Sequence, residues 1–132
     1  MKYLLTLYGD ESRFADLTPE QQAEGMQRWD AYTSDAIEAG VLVGGEGLQP
    51  SSTATTVQIP QSGDPIVSDG PFVETKEQLG GFYVIECASI DDALDWAAKL
   101  PSAERGATEI RPVMAYEEMG IEDTQRPVEA QS

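Results

Sequence analysis

The run Phe82-Tyr83-Val84-Ile85-Glu86-Cys87 constrains the fold more than any other stretch of the chain. In a strand, alternate side chains point to opposite sides. One side of this strand carries Phe82 and Val84; the other carries Tyr83, Ile85 and Cys87. Both sides are mainly apolar, so both need a cover. The rest of the sequence has to supply the partner strands and the layers that provide it.

Residues 2–8 form a β-rich apolar run and read as the first strand. Residues 9–16, GDESRFAD, read as a polar loop. Thr18-Pro19-Glu20-Gln21 is a helix start: Thr18 caps, Pro19 fits the first helical position and Gln21 completes a capping box. The helix is expected to run to about residue 39 and stop at Gly40. Met26, Trp29, Thr33, Ala36 and Ile37 follow helical spacing and form its expected buried stripe. Residues 41–50 begin as a strand and become Gly-rich. Residues 53–59 are rich in β-branched side chains and read as another strand, followed by a turn and a short return at Ile66-Val67. Ser89 to Asp92 gives a second capping pattern. It opens a helix with Ile90, Ala93, Leu94 and Ala97 on one face, ended by Pro101. Residues 108–115 read as the last strand, and Pro112 places that strand at an edge or bulge because it cannot donate to a ladder.

The order is strand, helix, strand, inserted hairpin, strand, helix, strand. It predicts an α+β domain over residues 1–116 with a ferredoxin-like split β-α-β topology and an inserted hairpin. Residues 117–132 are acidic and polar and are expected to be a mobile tail. Right-handed crossovers put both helices on one face of such a sheet. The other face then lacks a layer from its own chain, and a second copy related by a two-fold axis is the expected cover.

Charge narrows the partners. The chain has 132 residues, 8 Lys and Arg, 24 Asp and Glu, and a net charge of −16. Nucleic-acid binding needs clustered cations, and anionic membrane surfaces would repel this chain, so neither is expected as a partner. The apolar run at the start is too short to span a membrane and no cleavage pattern follows it, which predicts a cytoplasmic protein. The single cysteine, Cys87, sits in the apolar strand and reads as a small hydrophobe. There is no histidine. This removes Ser-His-Asp, Cys-His and Cys/His zinc arrangements together. No cofactor or metal is expected. Gly44-Gly45-Glu46-Gly47 does not match a phosphate loop, since it opens no helix and lacks the Gly-Lys-Ser/Thr ending; it reads as a bulge or a close backbone approach, with a backbone site for a small anion as the lesser alternative.

The candidate site residues cluster around SDGPFVETKEQLGGFYVIEC, residues 68–87. Asp69-Gly70-Pro71 reads as a rigid turn in which the Asp69 carboxylate accepts from the backbone just after it. It would fix Phe72 and Glu74 at a cleft edge, beside Lys76. Arg111 lies inside the last strand and would pair with a carboxylate or anchor an anionic group. Trp29 would supply an aromatic wall. Asp69 and Glu74 are the candidate acceptors and, in an enzyme, the candidate bases.

VLVGGEGLQPSSTATTV, DGPFVETKEQLGGFYVIEC and EIRPVM, in that order, resemble the YCII-related family in its DGPF-domain branch, over about residues 1–114. The branch is named for the tetrapeptide present here as Asp69-Gly70-Pro71-Phe72. The resemblance implies a dimeric α/β barrel with a pocket beside the sheet. It implies little about chemistry, although such domains lie near or fused to alternative sigma factors in some genomes. Members of the wider family carry a histidine and an aspartate suggested as a catalytic pair. This chain has no histidine, and Trp29 falls near the place where that residue is expected. The expectation is therefore a dimeric protein of undefined biochemical function that binds a small molecule in the pocket, with anionic ligands among the candidates. The alternatives are a His-independent isomerase or lyase with Asp69 or Glu74 as base, and a regulatory interaction module linked to transcription initiation.

The tail generates a direct test. Residues 123–132 contain few core-forming side chains, so deleting them should shift the melting temperature by less than about 2 °C. A large drop would show that the tail packs on the body.

Overall fold

A computed structural model describes residues 1–121. Residues 122–132, which include most of the expected tail, lie outside the described residues. The elements are β1 (Lys2–Gly9), α1 (Glu11–Ala15), α2 (Pro19–Glu38), β2 (Leu42–Gly47), β3 (Thr55–Gln58), β4 (Ile66–Asp69), β5 (Gln78–Glu86), α3 (Ile90–Ala98), α4 (Pro101–Arg105) and β6 (Ala107–Pro112). The fold is α+β, with a four-stranded antiparallel sheet in the order β2-β5-β1-β6 and a separate hairpin of β3 and β4. β5 lies between β1 and β2, and β1 lies between β5 and β6. Each crossover thus straddles a strand contributed by the other half.

The capping box at Thr18 forms in full, and at Ser89 the side-chain half of the pattern forms. Thr18 Oγ1 accepts from the Gln21 N–H at 3.1 Å, and Gln21 Oε1 accepts from the Thr18 N–H at 2.9 Å. Two of the otherwise unpaired donors at the start of α2 are satisfied in this way. The helix ends where Gly40 takes φ +73°, which a side chain would resist. Ser89 Oγ accepts from the Asp92 N–H at 3.3 Å and opens α3.

Several local expectations are corrected. The supposed loop at 9–16 contains α1, whose N-cap Asp10 accepts from the N–H and hydroxyl of Ser12 at 3.0 and 2.6 Å. These bonds hold the Asp10 carboxyl below its ordinary range. The buried stripe of α2 is carried by Tyr32 and Ala36, with Trp29 and Thr33 partly buried, while Met26 and Ile37 are exposed. On α3, Ala93 and Ala97 are buried, but Ile90 and Leu94 face outward. Pro101 does more than end α3: it is the first residue of α4.

The core lies between the two longer helices and one face of the sheet. It contains Tyr3, Leu5 and Leu7 from β1, Ile85 from β5, Tyr32 from α2, Ala93 and Ala97 from α3, and Leu100. All the buried strand side chains share one parity, so the helices cover one face. Leu4, Thr6, Phe82 and Val84 occupy the other parity and stay partly exposed.

Aromatic side chains join α2 to the sheet. Tyr32 lies 5.3 Å from Tyr83 and meets Trp96 edge-on at 5.9 Å; Trp29 stacks on Tyr83 at 6.4 Å. Tyr32 donates to the Trp96 carbonyl at 3.0 Å, and the Thr33 and Tyr83 hydroxyls share a 2.8 Å bond. Burial, with Tyr83 beside it, pushes the Tyr32 phenol well above its ordinary value. A folded value above the unfolded one stabilises the fold fully below about pH 10, and this stability is lost as pH rises further.

The Gly-rich part of β2 is structural. A β-carbon on Gly45 would stand 2.6 Å from the Phe82 carbonyl oxygen, so only glycine lets β2 lie against β5 there. A register shift between Leu42 and Gly44 supplies the expected bulge. Among the described residues, no helix is long and apolar enough to cross a membrane.

Opposite parities on β5 should respond differently to charge. Ile85 is fully buried, so Ile85→Glu should cost more than about 4 kcal/mol and fail to fold. Val84→Glu should retain the native circular dichroism spectrum, at a cost of about 1 kcal/mol. Equal losses in the two variants would contradict the assignment of faces.

Candidate functional site

Where β1 ends and β5 begins, the chain leaves a groove between the 48–54 and 71–79 segments. It consists of two adjoining hollows of about 600 and 410 Å³. The larger is lined by Tyr8, Leu48, Pro50, Ala54, Pro71, Val73 and Leu79, with Gln49, Ser51, Thr53, Thr75, Glu77 and Gln78 as polar groups. The smaller adds Ser52, Gly70 and Glu74. The charged residues lining the groove are carboxylates.

A hydrogen-bonded frame sets the walls. The Glu11 carboxylate accepts from the Ser51 N–H and from the Ser51 hydroxyl, both at 2.7 Å. The Glu11 N–H donates to Gln78 Oε1 at 3.0 Å. Gln78 Nε2 donates to the Thr75 carbonyl at 2.9 Å, and the Thr75 hydroxyl donates to the Glu77 carbonyl. The start of α1 is thereby fastened to the 51 turn and to the segment entering β5. Sequence reasoning passed over Tyr8, Glu11, Ser51 and Gln78. The one local signal was Asp10-Glu11-Ser12, an N-cap pattern; no sequence pattern announces a contact that bridges 40 residues.

The signature turn borders this groove, but other groups hold it. The Gly70 N–H donates to the Ala54 carbonyl at 2.7 Å, and the Thr56 hydroxyl donates to the Gly70 carbonyl at 2.8 Å. Gly70 has φ +96°, a conformation that glycine adopts without the steric penalty of a β-carbon. Asp69 ends β4, opposite Thr55, and its side chain makes no hydrogen bond to the turn. The hairpin anchors the turn where an Asx-type bond was expected.

The structure brings together part of the expected set. Glu74 lines the smaller hollow, and Asp69 immediately precedes its Gly70 wall. Phe72 is 71 % exposed and lies outside both linings, while Lys76 is exposed beside them. Trp29 lies under α2 against Tyr83, in the core layer. Arg111 is exposed on β6 opposite Leu4, four residues along β1 from Tyr8, roughly 13 Å at strand spacing. It does not line the groove.

Cys87 is partly buried, and its thiol contacts the Ser89 carbonyl at 3.5 Å. Burial pushes the thiol up, with Asp92 adding to the shift. This disfavours the thiolate that nucleophilic chemistry needs. Among the described residues, no group of three or more His, Cys, Asp or Glu side chains is placed to hold a metal ion.

Comparison with known proteins bears on the same turn and strands. The family model for the YCII-related domain matches residues 1–117. The chain belongs to the YCII-related family. A relative from Rhizobium meliloti (strain 1021), the uncharacterized protein R00369, is 42 % identical over 118 residues, which cover 88 % of this chain and 94 % of that protein. The family match thus spans the sheet, both longer helices, the hairpin and the groove.

The groove frame yields a stability test. Glu11 gives both carboxylate oxygens to Ser51, and a hydrogen bond to a charged group contributes about 1.5–3 kcal/mol net. Glu11→Ala should therefore lower stability by about 2 kcal/mol, measured by denaturant unfolding. A variant as stable as wild type would show that the frame does not hold the groove.

Proposed function

We propose that this YCII-related protein, of the DGPF branch, is a cytoplasmic homodimer that binds a small molecule in the groove beside the signature turn. The observation that carries the reading is the groove itself: an apolar floor with a few fixed polar groups, the usual make-up of a small-molecule site. Tyr8, Leu79, Pro71 and Val73 offer apolar contact, and Thr75, Gln78 and Ser51 stand at the walls. Glu74 and Glu77 favour a neutral or cationic ligand over an anionic one within a single chain.

The interleaved strand order supports a ferredoxin-like domain, and the uncovered sheet face supports a dimeric α/β barrel. Leu4, Phe82 and Val84 on that face are partly exposed, and a second copy would complete their burial. Val57 and Val67, paired across the hairpin and more than half exposed, add to the apolar surface available to it.

Native mass spectrometry tests the binding reading. Wild-type protein should carry a retained small molecule or gain one from a panel of neutral and cationic compounds. Ala54→Trp, which fills the larger hollow, should lose that added mass while remaining folded. Absence of any bound mass, together with no thermal shift across the panel, would overturn the proposal.

A further inference from the structure

We propose that Arg111 of each copy pairs with Glu109 of the other, across a two-fold axis that runs perpendicular to the strands. This rests on the homodimer reading and adds its orientation and its charged contacts.

The register fixes what the open face presents. Gly44, Val84, Leu4 and Arg111 form one row across the four strands. Glu46, Phe82, Thr6 and Glu109 form the next row. Lys2 and Glu86 lie opposite each other in the row beyond Leu4. Leu4, Phe82 and Val84 thus fill the middle of two adjacent rows. Charged residues surround them, and those are close to balanced: Lys2 and Arg111 against Glu46, Glu86 and Glu109. A chain with a net charge of −16 has few surfaces that a second copy could approach with so little repulsion.

Two in-plane axes can stack the apolar residues of two such faces. An axis along the strands lays β6 over the partner's β2. It brings Lys2 opposite the second copy's Glu86, but it also sets Glu109 against the second copy's Glu46, twice, and leaves Arg111 over a glycine. An axis across the strands, passing between the two rows, lays β6 over β6. Leu4 then meets Thr6, Val84 meets Phe82, and Arg111 meets Glu109 twice along the β6 edge, once on each side of the axis, with no like charges opposed. A two-fold makes every such contact reciprocal. Unfavourable apposition of like charges is what suppresses the first arrangement.

The reach is adequate. Packed sheets stand about 10 Å apart, a gap that an extended arginine and a glutamate span together. Crossing by about 30° displaces the edge strands by a few ångströms, within the play of the arginine side chain. Arg111 also precedes Pro112, which restricts its backbone to extended conformations. Within one chain, Arg111 and Glu109 lie on the same side of β6 but form no ion pair, whereas Arg28 and Glu104 do, at 3.0 Å.

Sedimentation equilibrium of wild type, Arg111→Glu, Glu109→Arg and the double variant tests this, with circular dichroism confirming the fold. Each single variant should weaken dimerisation by about tenfold or more, and the double should return to within about threefold of wild type. Net charge makes the test sharp. Arg111→Glu takes the chain from −16 to −18 and Glu109→Arg takes it to −14. If bulk repulsion alone mattered, Glu109→Arg would tighten the dimer, and that result overturns the pairing. So do single variants that match wild type, or reciprocal rescue by Lys2→Glu with Glu86→Lys instead, which reports the other axis. A wild type monomeric at micromolar concentration overturns the dimer itself.

Discussion

A right-twisted strand feeding a right-handed helix packs back onto its sheet from one side. Applied twice in this chain, that rule brings both longer helices onto the face of Tyr3, Leu5, Leu7 and Ile85. It also strips the other face of any covering helix. The core is accordingly thin and one-sided, with small residues, Ala93 and Ala97, where α3 comes close to it. The aromatic group Trp29, Tyr32, Tyr83 and Trp96 fills the wider space under α2. Tyr83 belongs to the same strand as Phe82 and Val84, so the best-packed side and the most open side of the sheet share one backbone.

This arrangement separates two tasks. The aromatic layer supplies stability, and its polar atoms are engaged internally: Tyr32 on the Trp96 carbonyl, Thr33 on Tyr83. The groove is built from other parts, namely the end of β1, the 51 turn and the segment entering β5. Its walls are set by hydrogen bonds to Glu11 and Gln78, and none of its lining residues is fully buried. Such a region can admit a ligand without disturbing the core. Trp29 falls on the stability side of this division, despite being the aromatic residue that the sequence offers most readily as a pocket wall.

What was legible follows the range of the interactions. Helix caps are local, so the Thr18–Gln21 box and the Ser89 N-cap announce α2 and α3 correctly. Strand parity is local too, so the two sides of residues 82–87 can be read from the order of their side chains alone. Pro112 marks an edge strand because the missing donor is a property of the residue itself. Helical spacing is weaker. It selects Met26 and Ile37 along with Ala36, but the actual stripe passes through Tyr32, and hydrophobicity alone cannot tell adjacent arcs of a helix apart. The groove was the least legible feature. Its frame is a carboxylate reaching across 40 residues to Ser51, and the turn that looks self-supporting, Asp69-Gly70-Pro71, is held by Ala54 and Thr56.

Scarce cations make each position informative in so acidic a chain. Arg28 pairs with Glu104 on the surface, and Lys99 lies 4.4 Å from the Trp96 ring centre. Lys2 and Arg111 both belong to the parity that faces away from the helices. Long-range repulsion between two such chains is screened beyond about 8 Å at physiological salt, but at contact the local balance decides. A face holding two cations and three carboxylates around an apolar centre is therefore where the proposed self-association would meet little resistance. In the proposed dimer Arg111 would serve the open face, and it does not line the groove of its own chain. The ligand preference proposed for that groove would then rest on Glu74 and Glu77, and an anion would need a cation brought to it from elsewhere.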